Sequence, residues 1–228
     1  MVKNLFNKSK FNMGFTLAEV LITLVIVGIV AAMTIPTLVN NTQKQELVAG
    51  LKKAHSVLSQ SLYKIGQNNG YPVGDYSFLS DVNFMNEFVK VTNVTKKCNS
   101  ISECFGSDYN TKYKLLSGNT PSGLGFDSVG KSVITGDGFI YLYYYFPVPG
   151  TAAHGISSED AQDVIGYIAV DVNGGKGPNV WGRDVFLFDL STSKGIIICG
   201  TGSESTCTAS GSGYGCTAKV LRENAINY

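Results

Sequence analysis

The sequence predicts an α+β fold, in which one long amino-terminal helix is followed by a head built on an antiparallel sheet. Three observations carry this prediction. Residues 15–39 form an almost uninterrupted apolar run, the apolar residues that follow recur at helical spacing up to Ile65, and from Thr111 onward the chain changes to short β-rich segments separated by turns. A helix followed by several antiparallel strands is typical of the α+β class.

The apolar run contains only a few threonines and one carboxylate, Glu19. A bilayer core about 30 Å thick is crossed by a helix of about 20 residues, so this run predicts one transmembrane helix. A carboxylate near the start of such a helix is unfavourable in lipid unless it has a partner. Glu19 therefore indicates a function beyond simple anchoring.

The residues before the apolar run are basic and end in a small residue. Lys3, Lys8 and Lys10 precede Gly14, and no acidic residue accompanies them. Short basic flanks stay in the cytoplasm, which predicts that the chain after the apolar run lies outside it. A secretory signal is cut after its apolar region, whereas Gly14 stands before it. Cleavage at Gly14 would leave the apolar helix as the new amino terminus.

Residues 14–19, GFTLAE, together with the apolar run resemble the class III signal of type IV pilins and of type II secretion pseudopilins. The resemblance implies a pilin-like fold, cleavage by a prepilin peptidase between Gly14 and Phe15, and N-methylation of Phe15. It also implies that Glu19 pairs with the terminal amine of a neighbouring subunit, and a carboxylate and an amine buried together offset each other's burial cost. The alternative is a single-pass anchor in which Glu19 has no role.

Further residues fit the same resemblance. Pro36 lies where similar proteins carry a helix-kinking proline, and Gly28 forms with Ala32 a small pair that lets helices approach closely. The resemblance implies a single pass through a bacterial inner membrane with the head outside, then transfer to a surface pilus or a periplasmic pseudopilus. The implied partners are membrane lipid before assembly, the prepilin peptidase and methyltransferase, the inner-membrane assembly platform, and other copies of the chain or related pilins.

The helix is predicted to continue beyond the membrane as an amphipathic segment that ends at Gly66. The chain then divides into a cleaved basic leader (1–14), a transmembrane and fibre-assembly segment (15–39), the amphipathic continuation (40–66) and an extracytoplasmic head (67–228). The apolar stripe of the continuation consists of Leu47, Leu51, Ala54, Leu58, Leu62 and Ile65.

The head is predicted to contain one short helix and several strands, some of them joined in hairpins. Residues 136–138, GDG, and residues 191–194 are the expected hairpin turns. The predicted helix is 81–91, and the predicted strands are 112–117, 132–135, 139–145, 164–172, 185–190 and 195–199.

The sequence predicts no enzyme site. Glu159, Asp160 and Asp163 are interpreted as a solvated turn or helix start rather than as an acid pair for glycoside chemistry. Neither His55, on a predicted helix, nor His154, in a predicted loop, stands beside an obvious serine or cysteine nucleophile. Lysines and arginines are scattered and the formal net charge is +1, so no nucleic-acid partner is indicated.

Five cysteines follow the apolar run, which predicts disulfides and an oxidising compartment. Cys98 and Cys104 enclose one short loop and Cys207 and Cys216 another, so we predict these pairs. Cys199 is then left over, and its pairing with Cys216 stays open as the alternative. A zinc site is disfavoured because the sequence has no C-x-x-C pair and both histidines lie far from the cysteines in the chain.

Residues 171–179, DVNGGKGPN, place oxygen side chains at alternating positions before glycines, as at the start of a calcium loop. Asp171, Asn173 and Asp184 are the candidate ligands, and the resemblance adds weight because major pseudopilins bind calcium in a carboxy-terminal loop. The favoured interpretation is a tight turn in which these side chains cap their own backbone. Gly175 stands where an EF-hand ligand would be, and no glutamate closes the loop.

The sequence thus favours a structural subunit of a type IV pilus-like fibre or of a type II secretion pseudopilus. The alternative is a minor pilin, or a membrane-tethered head, that acts as an adhesin or binding module. Residues 141–146, YLYYYF, are the candidate surface for such binding, although aromatic residues also favour strands and cores.

Overall fold

The chain divides into two compact units, one up to Gln43 and one from Lys44 to Tyr228. The leader up to residue 13 and the start of the helix predicted at 81–91 lie outside the part of the chain that the structure describes. The computed structural model describes residues 14–80, 83–121, 131–146 and 154–228.

The amino-terminal helix, α1 (Leu17–Asn68), forms where the sequence predicts it and runs through Pro36. It also runs through Gly66, the predicted end. There the glycine packs against the Phe78 ring, and a Cβ would lie 3.1 Å from a ring carbon, so this glycine serves close packing rather than a helix stop. The chain turns instead at Gly70, whose φ of +81° is a conformation that favours glycine. The helix therefore ends at Asn68, beyond the predicted stop.

Within the described residues, one antiparallel sheet of six strands forms the centre of the second unit. Each strand pairs with the next one along the chain, which confirms the α+β class and an antiparallel sheet. The hairpin predicted around residues 136–138 is present, with Ile134 opposite Ile140. The strands are β1 (Val94–Cys98), β2 (Lys131–Thr135), β3 (Ile140–Tyr145), β4 (Val164–Asp171), β5 (Val185–Ser191) and β6 (Gly195–Ile198).

Short helices connect these strands. The predicted helix at 81–91 is α2 (Phe84–Val91), which the Asn83 side chain caps by accepting a hydrogen bond from the Asn86 N–H at 3.2 Å. Glu159 and Asp160 lie in a single helical turn, which agrees with their interpretation as a helix start. The other short helices are a 3-10 helix at Ser77–Ser80, α3 (Ile101–Phe105), α4 (Tyr109–Lys112), α5 (Ser158–Ala161) and α6 (Cys216–Glu223).

One strand prediction is wrong. Residues 112–117 begin in α4 and contribute a single bridge, between Lys114 and Val180, rather than a strand. The cause lies at Tyr113, which is fully buried and donates a hydrogen bond to the Asp171 carboxylate at 2.6 Å. Contacts with distant residues therefore override the local preference for strand at this position.

The second half of α1 covers one face of the sheet. The predicted stripe is buried, with Leu51, Ala54, Leu58 and Ile65 at 0% exposure. The rest of the stripe is Leu62, which is also buried, and Leu47, which packs against the cluster while partly exposed. On the sheet side this core contains Val133, Tyr141, Tyr143, Ile168, Val170, Phe186, Phe188 and Leu190.

The opposite face of the sheet carries a second core. Side chains alternate along a strand, so Phe186 and Phe188 face α1 while Val185 and Leu187 face the other way. Trp181 is fully buried in this second core. Its other buried members are Ile101, Phe105, Tyr113, Ile140, Leu142, Tyr167, Ala169 and Cys199.

The aromatic run at 141–146 is mainly core. Tyr141 and Tyr143 lie in the core under α1, and Tyr144 and Phe146 pack against the second core. Tyr145 alone among the large apolar side chains of this run is strongly exposed, at 48%. The run therefore does not form the broad aromatic binding surface considered from the sequence.

We expect Leu58→Ala to lower the free energy of unfolding of the head by about 2–5 kcal/mol, because it removes a buried side chain between α1 and the sheet. Tyr63→Ala, on the same helix but 54% exposed, is the matched control and should change this free energy by less than about 1 kcal/mol. Urea unfolding of the detergent-solubilised chain measures both. Equal destabilisation by the two variants would contradict the packing of this stripe.

Candidate functional site

Hydrogen bonds between Thr16 and Glu19 hold the start of α1. Glu19 Oε2 accepts hydrogen bonds from the Thr16 backbone N–H at 2.8 Å and from the Thr16 hydroxyl at 2.7 Å, and the Glu19 N–H donates to the Thr16 hydroxyl oxygen at 3.3 Å. This reciprocal arrangement is a capping box, which satisfies backbone donors at the first turn of a helix. Glu19 therefore has a local structural role that the sequence analysis did not assign to it.

Gly14 and Phe15 lie immediately before this capped turn and outside the helix. Phe15 is 89% exposed, and a side chain added at Gly14 would meet no atom within 4 Å. The peptide bond between the two residues is therefore not enclosed by the rest of the described chain.

The first half of α1 presents apolar side chains on all sides. Its most apolar 18-residue window has a mean hydropathy of 2.5 and none of that window is buried. Among the described residues, α1 is the one helix long and apolar enough to cross a membrane, by length and composition. The exposed apolar side chains are Leu17, Val20, Leu21, Ile22, Leu24, Val25, Ile26, Val27, Ile29, Val30, Met33, Ile35, Leu38 and Val39.

The threonines in this half of α1 do not break its apolar character. The hydroxyls of Thr23 and Thr34 donate to the backbone carbonyls of Val20 and Val30, each at 2.9 Å. A hydroxyl bonded within its own helix has less need of a partner from outside. The helix surface is thus suited to an apolar environment along this segment.

Gly28 and Pro36 lie on this same apolar segment. A Cβ placed on Gly28 would meet nothing within 4 Å, so the glycine is not needed for packing inside this chain. It leaves a flat place at which a second helix could approach closely. Pro36 lies inside α1 and removes one backbone donor from it.

The structure contains both disulfides predicted from the short loops. Cys98, at the end of β1, is bonded to Cys104 in α3, with a Cα–Cα distance of 5.8 Å. Cys207 is bonded to Cys216, the first residue of α6, with a Cα–Cα distance of 4.9 Å. The alternative partner, Cys199, is unpaired and buried.

The predicted calcium loop begins at Asp171, the last residue of β4. The Asp171 carboxylate is buried, and Oδ1 accepts hydrogen bonds from the N–H groups of Asn173 at 3.1 Å and Gly174 at 2.9 Å. Oδ2 accepts the hydrogen bond from the Tyr113 hydroxyl at 2.6 Å. Burial raises the pKa of Asp171, and the bond from Tyr113 opposes that rise.

Asp184 closes the same loop from the other end. Its Oδ1 accepts a hydrogen bond from the Val180 N–H at 2.7 Å, and its Oδ2 accepts from the Asn179 N–H at 2.6 Å and the Asn173 side-chain amide at 3.2 Å. Burial raises the pKa of Asp184 to about 6; the Val180 N–H opposes the rise, and the charge of Asp171 adds to it.

These hydrogen bonds decide how well calcium would fit. Calcium takes about 6–8 oxygen ligands, whereas every carboxylate oxygen of Asp171 and Asp184 already accepts a bond from the protein. The side-chain amide oxygens of Asn173 and Asn179 are buried without a partner, but a cation would have to displace the donors on both carboxylates to reach a full set. The geometry fits a capped turn better than a calcium site.

Comparison of the chain with protein-family models, with curated proteins and with solved structures found no match.

We expect the melting temperature of the head to be the same within 1 °C or so in millimolar calcium and in excess chelator, because the Asp171 and Asp184 carboxylates are already occupied by N–H and O–H donors. Differential scanning fluorimetry of the solubilised chain measures this, with magnesium as the control for ionic strength. A calcium-specific rise that is lost in Asp184→Asn would show that the loop does bind the ion.

Proposed function

We propose that this chain is a fibre subunit of the type IV pilin or type II pseudopilin kind, processed between Gly14 and Phe15 and assembled through the first half of α1. The observation that carries the proposal is a single carboxylate, Glu19, placed at the first turn of an exposed apolar helix that begins shortly after the small residue Gly14. The basic leader before Gly14 supports an orientation with the head outside the cytoplasm.

The exposed apolar surface of the first half of α1 supports assembly, because such a surface is unfavourable in water and requires contact with lipid or with other apolar helices. Soluble monomers rarely expose continuous apolar surface of this extent, and here no part of the most apolar window is buried. Lipid covers it before assembly, and the helices of neighbouring subunits replace the lipid in a fibre. Between helices in an apolar environment, close packing at small residues such as Gly28 supplies much of the attraction.

Glu19 supports the proposal through its charge. A carboxylate inside the hydrocarbon costs roughly 2.5–3.5 kcal/mol by insertion measurements on Asp at a helix centre. Both hydrogen bonds that the Glu19 carboxylate accepts fall on Oε2, and no hydrogen bond within the described residues falls on Oε1. After cleavage, the amine of Phe15 in the adjacent subunit becomes a partner that compensates both charges.

A second candidate function is that of a minor pilin whose head binds a ligand. The observation that favours it is a groove of about 410 Å³ between α1 and the turns that flank β1 and β2. Lys53 bridges one side of this groove to Asp137 at 2.9 Å, and Lys64 lies on the same wall. A head of this kind would sit at the tip of a fibre, in few copies.

We expect mass spectrometry of producing cells to find chains that begin at N-methylated Phe15. Abundant processed chain in the fraction released by shearing supports a surface pilus, scarce processed chain there supports the minor pilin, and processed chain confined to the envelope supports a secretion pseudopilus. Gly14→Leu should leave the leader attached, whereas Gly28→Ala, the matched glycine control, should be processed normally. Wild-type chain that still carries the leader would overturn the proposal.

Glu19→Gln separates the charge of Glu19 from its capping role, because a glutamine oxygen can still accept the bonds from Thr16. We expect this variant to be processed normally but to enter fibres at least about tenfold less, the change that 1.4 kcal/mol produces. Thr16→Val, which breaks the capping box and keeps the charge, is the control and should assemble far better. Normal fibres from Glu19→Gln would mean that Glu19 only caps the helix.

A further inference from the structure

The fold brings together three side chains that the sequence keeps far apart. Asp189 lies in β5, Cys199 directly follows β6, and His154 precedes α5. Strand pairing sets Asp189 opposite Ile197, which brings the end of β6 beside it. The backbone at Gly155 accepts hydrogen bonds from the chain just after Cys199, at 2.8 and 2.9 Å, and this holds His154 near the same place.

The three side chains offer one nitrogen, one oxygen and one sulfur ligand within a small volume. The Nδ1 atom of His154 lies 2.7 Å from Oδ1 of Asp189. The candidate ligand atoms of all three residues lie within 4.8 Å of one another. In a tetrahedral zinc site, bonds of about 2.0–2.3 Å place ligand atoms roughly 3.3–3.8 Å apart. The 4.8 Å limit includes this spacing, but the hydrogen-bonded atoms of His154 and Asp189, at 2.7 Å, are closer than it, so metal binding requires these two side chains to rotate apart.

The cluster is enclosed. Asp189 and Cys199 are 0% exposed and His154 is 7% exposed. The imidazole is held between aromatic rings, with the Tyr167 ring at 5.4 Å and the Tyr214 ring at 6.1 Å between centroids, both in edge contact. Rigid surroundings of this kind restrict the orientation of the imidazole and so prepare it as a ligand.

A second observation is that one carboxylate oxygen of Asp189 lacks a hydrogen-bond donor. Its Oδ2 atom is buried and has no hydrogen-bond partner that meets ordinary geometry. The Cys199 thiol lies near the same carboxylate group, and a thiol is a weak donor. A buried carboxylate oxygen without a strong partner is unfavourable, and a cation shared with the thiol and the imidazole would satisfy it.

We propose that His154, Asp189 and Cys199 bind one zinc ion, with a water molecule as the fourth ligand. Nitrogen, carboxylate oxygen and thiolate are the ligands that zinc takes in proteins. Binding would displace the thiol proton, so affinity should rise with pH. The ion would fasten the His154 loop and the end of β6 to the central strand β5. This proposal does not depend on the fibre function.

The test uses the full-length chain in detergent, without reductant, stripped by EDTA and then desalted. We expect ZnCl2, titrated against a chromophoric competitor, to bind at one ion per chain. Substitution by Co²⁺ should give a thiolate charge-transfer absorption. Cys199 is the one cysteine of the five outside a disulfide, and all five lie among the described residues. The absorption would therefore report on that residue alone.

Cys199→Ser and His154→Gln should each weaken zinc binding by more than about 100-fold, beyond the loss typical of residues that only support a ligand. His55→Gln is the matched control, because His55 lies on α1 stacked against Phe188 at 5.8 Å and away from the cluster. Circular dichroism checks that each variant is folded. Absence of stoichiometric binding to the wild type, or binding that survives both cluster variants, would overturn the proposal.

A measurement on the wild type covers the case in which a cluster variant fails to fold. Under mild denaturant, alkylation of Cys199 by iodoacetamide should be at least about tenfold slower with one equivalent of zinc than with EDTA, because the metal both occupies the thiolate and stabilises the fold around it. Equal rates would overturn the proposal. Neither measurement involves leader cleavage or fibre assembly, so its failure is separate from failure of the proposed function.

Discussion

The head depends on the packing of the α1 stripe against the sheet. A sheet of this composition exposes large aromatic and aliphatic side chains on both faces, and β4 and β5 are buried along their whole length. The loops and short helices around Trp181 cover one face. The other face depends on Leu51, Leu58 and their neighbours in α1. Burial of an aliphatic side chain contributes about 1.5–3 kcal/mol, so this stripe is a substantial part of the stabilisation of the head.

The carboxylates of this chain differ in how many hydrogen bonds they accept, and this difference underlies both proposals. Asp171 and Asp184 are buried, but backbone N–H groups and hydroxyls surround them and make them part of a turn. Asp189 is equally buried and keeps one oxygen without a partner. Glu19 is exposed, and its helix-capping bonds leave its charge uncompensated. A buried carboxylate whose oxygens all accept hydrogen bonds from the protein is part of the fold. A carboxylate that lacks such a partner, or that lies in an apolar segment, points to a partner outside the described chain.

The spacing of apolar residues along the sequence was enough to predict the helices and strands in which that spacing is regular. The helical stripe of α1 and strands β2 to β6 follow from spacing and turn residues. β1 was missed because its two lysines obscure the strand pattern; it is an edge strand, where lysine is common. α6 was missed because no side chain caps its start, which is at Gly215. The approach of His154 to Cys199 could not be predicted, because it is set by the order of strands and by a loop contact rather than by spacing.

The boundary between the two units falls inside α1, between Gln43 and Lys44, and the first buried residue of the stripe is Val48. One continuous helix therefore has two segments with different surroundings. Under the proposed function, a substitution before the boundary changes contacts with lipid or with neighbouring helices. Beyond Val48, a substitution in the stripe changes contacts with the sheet of its own head. Under the proposed function, a substitution that repacks the head could therefore leave the apolar segment unchanged.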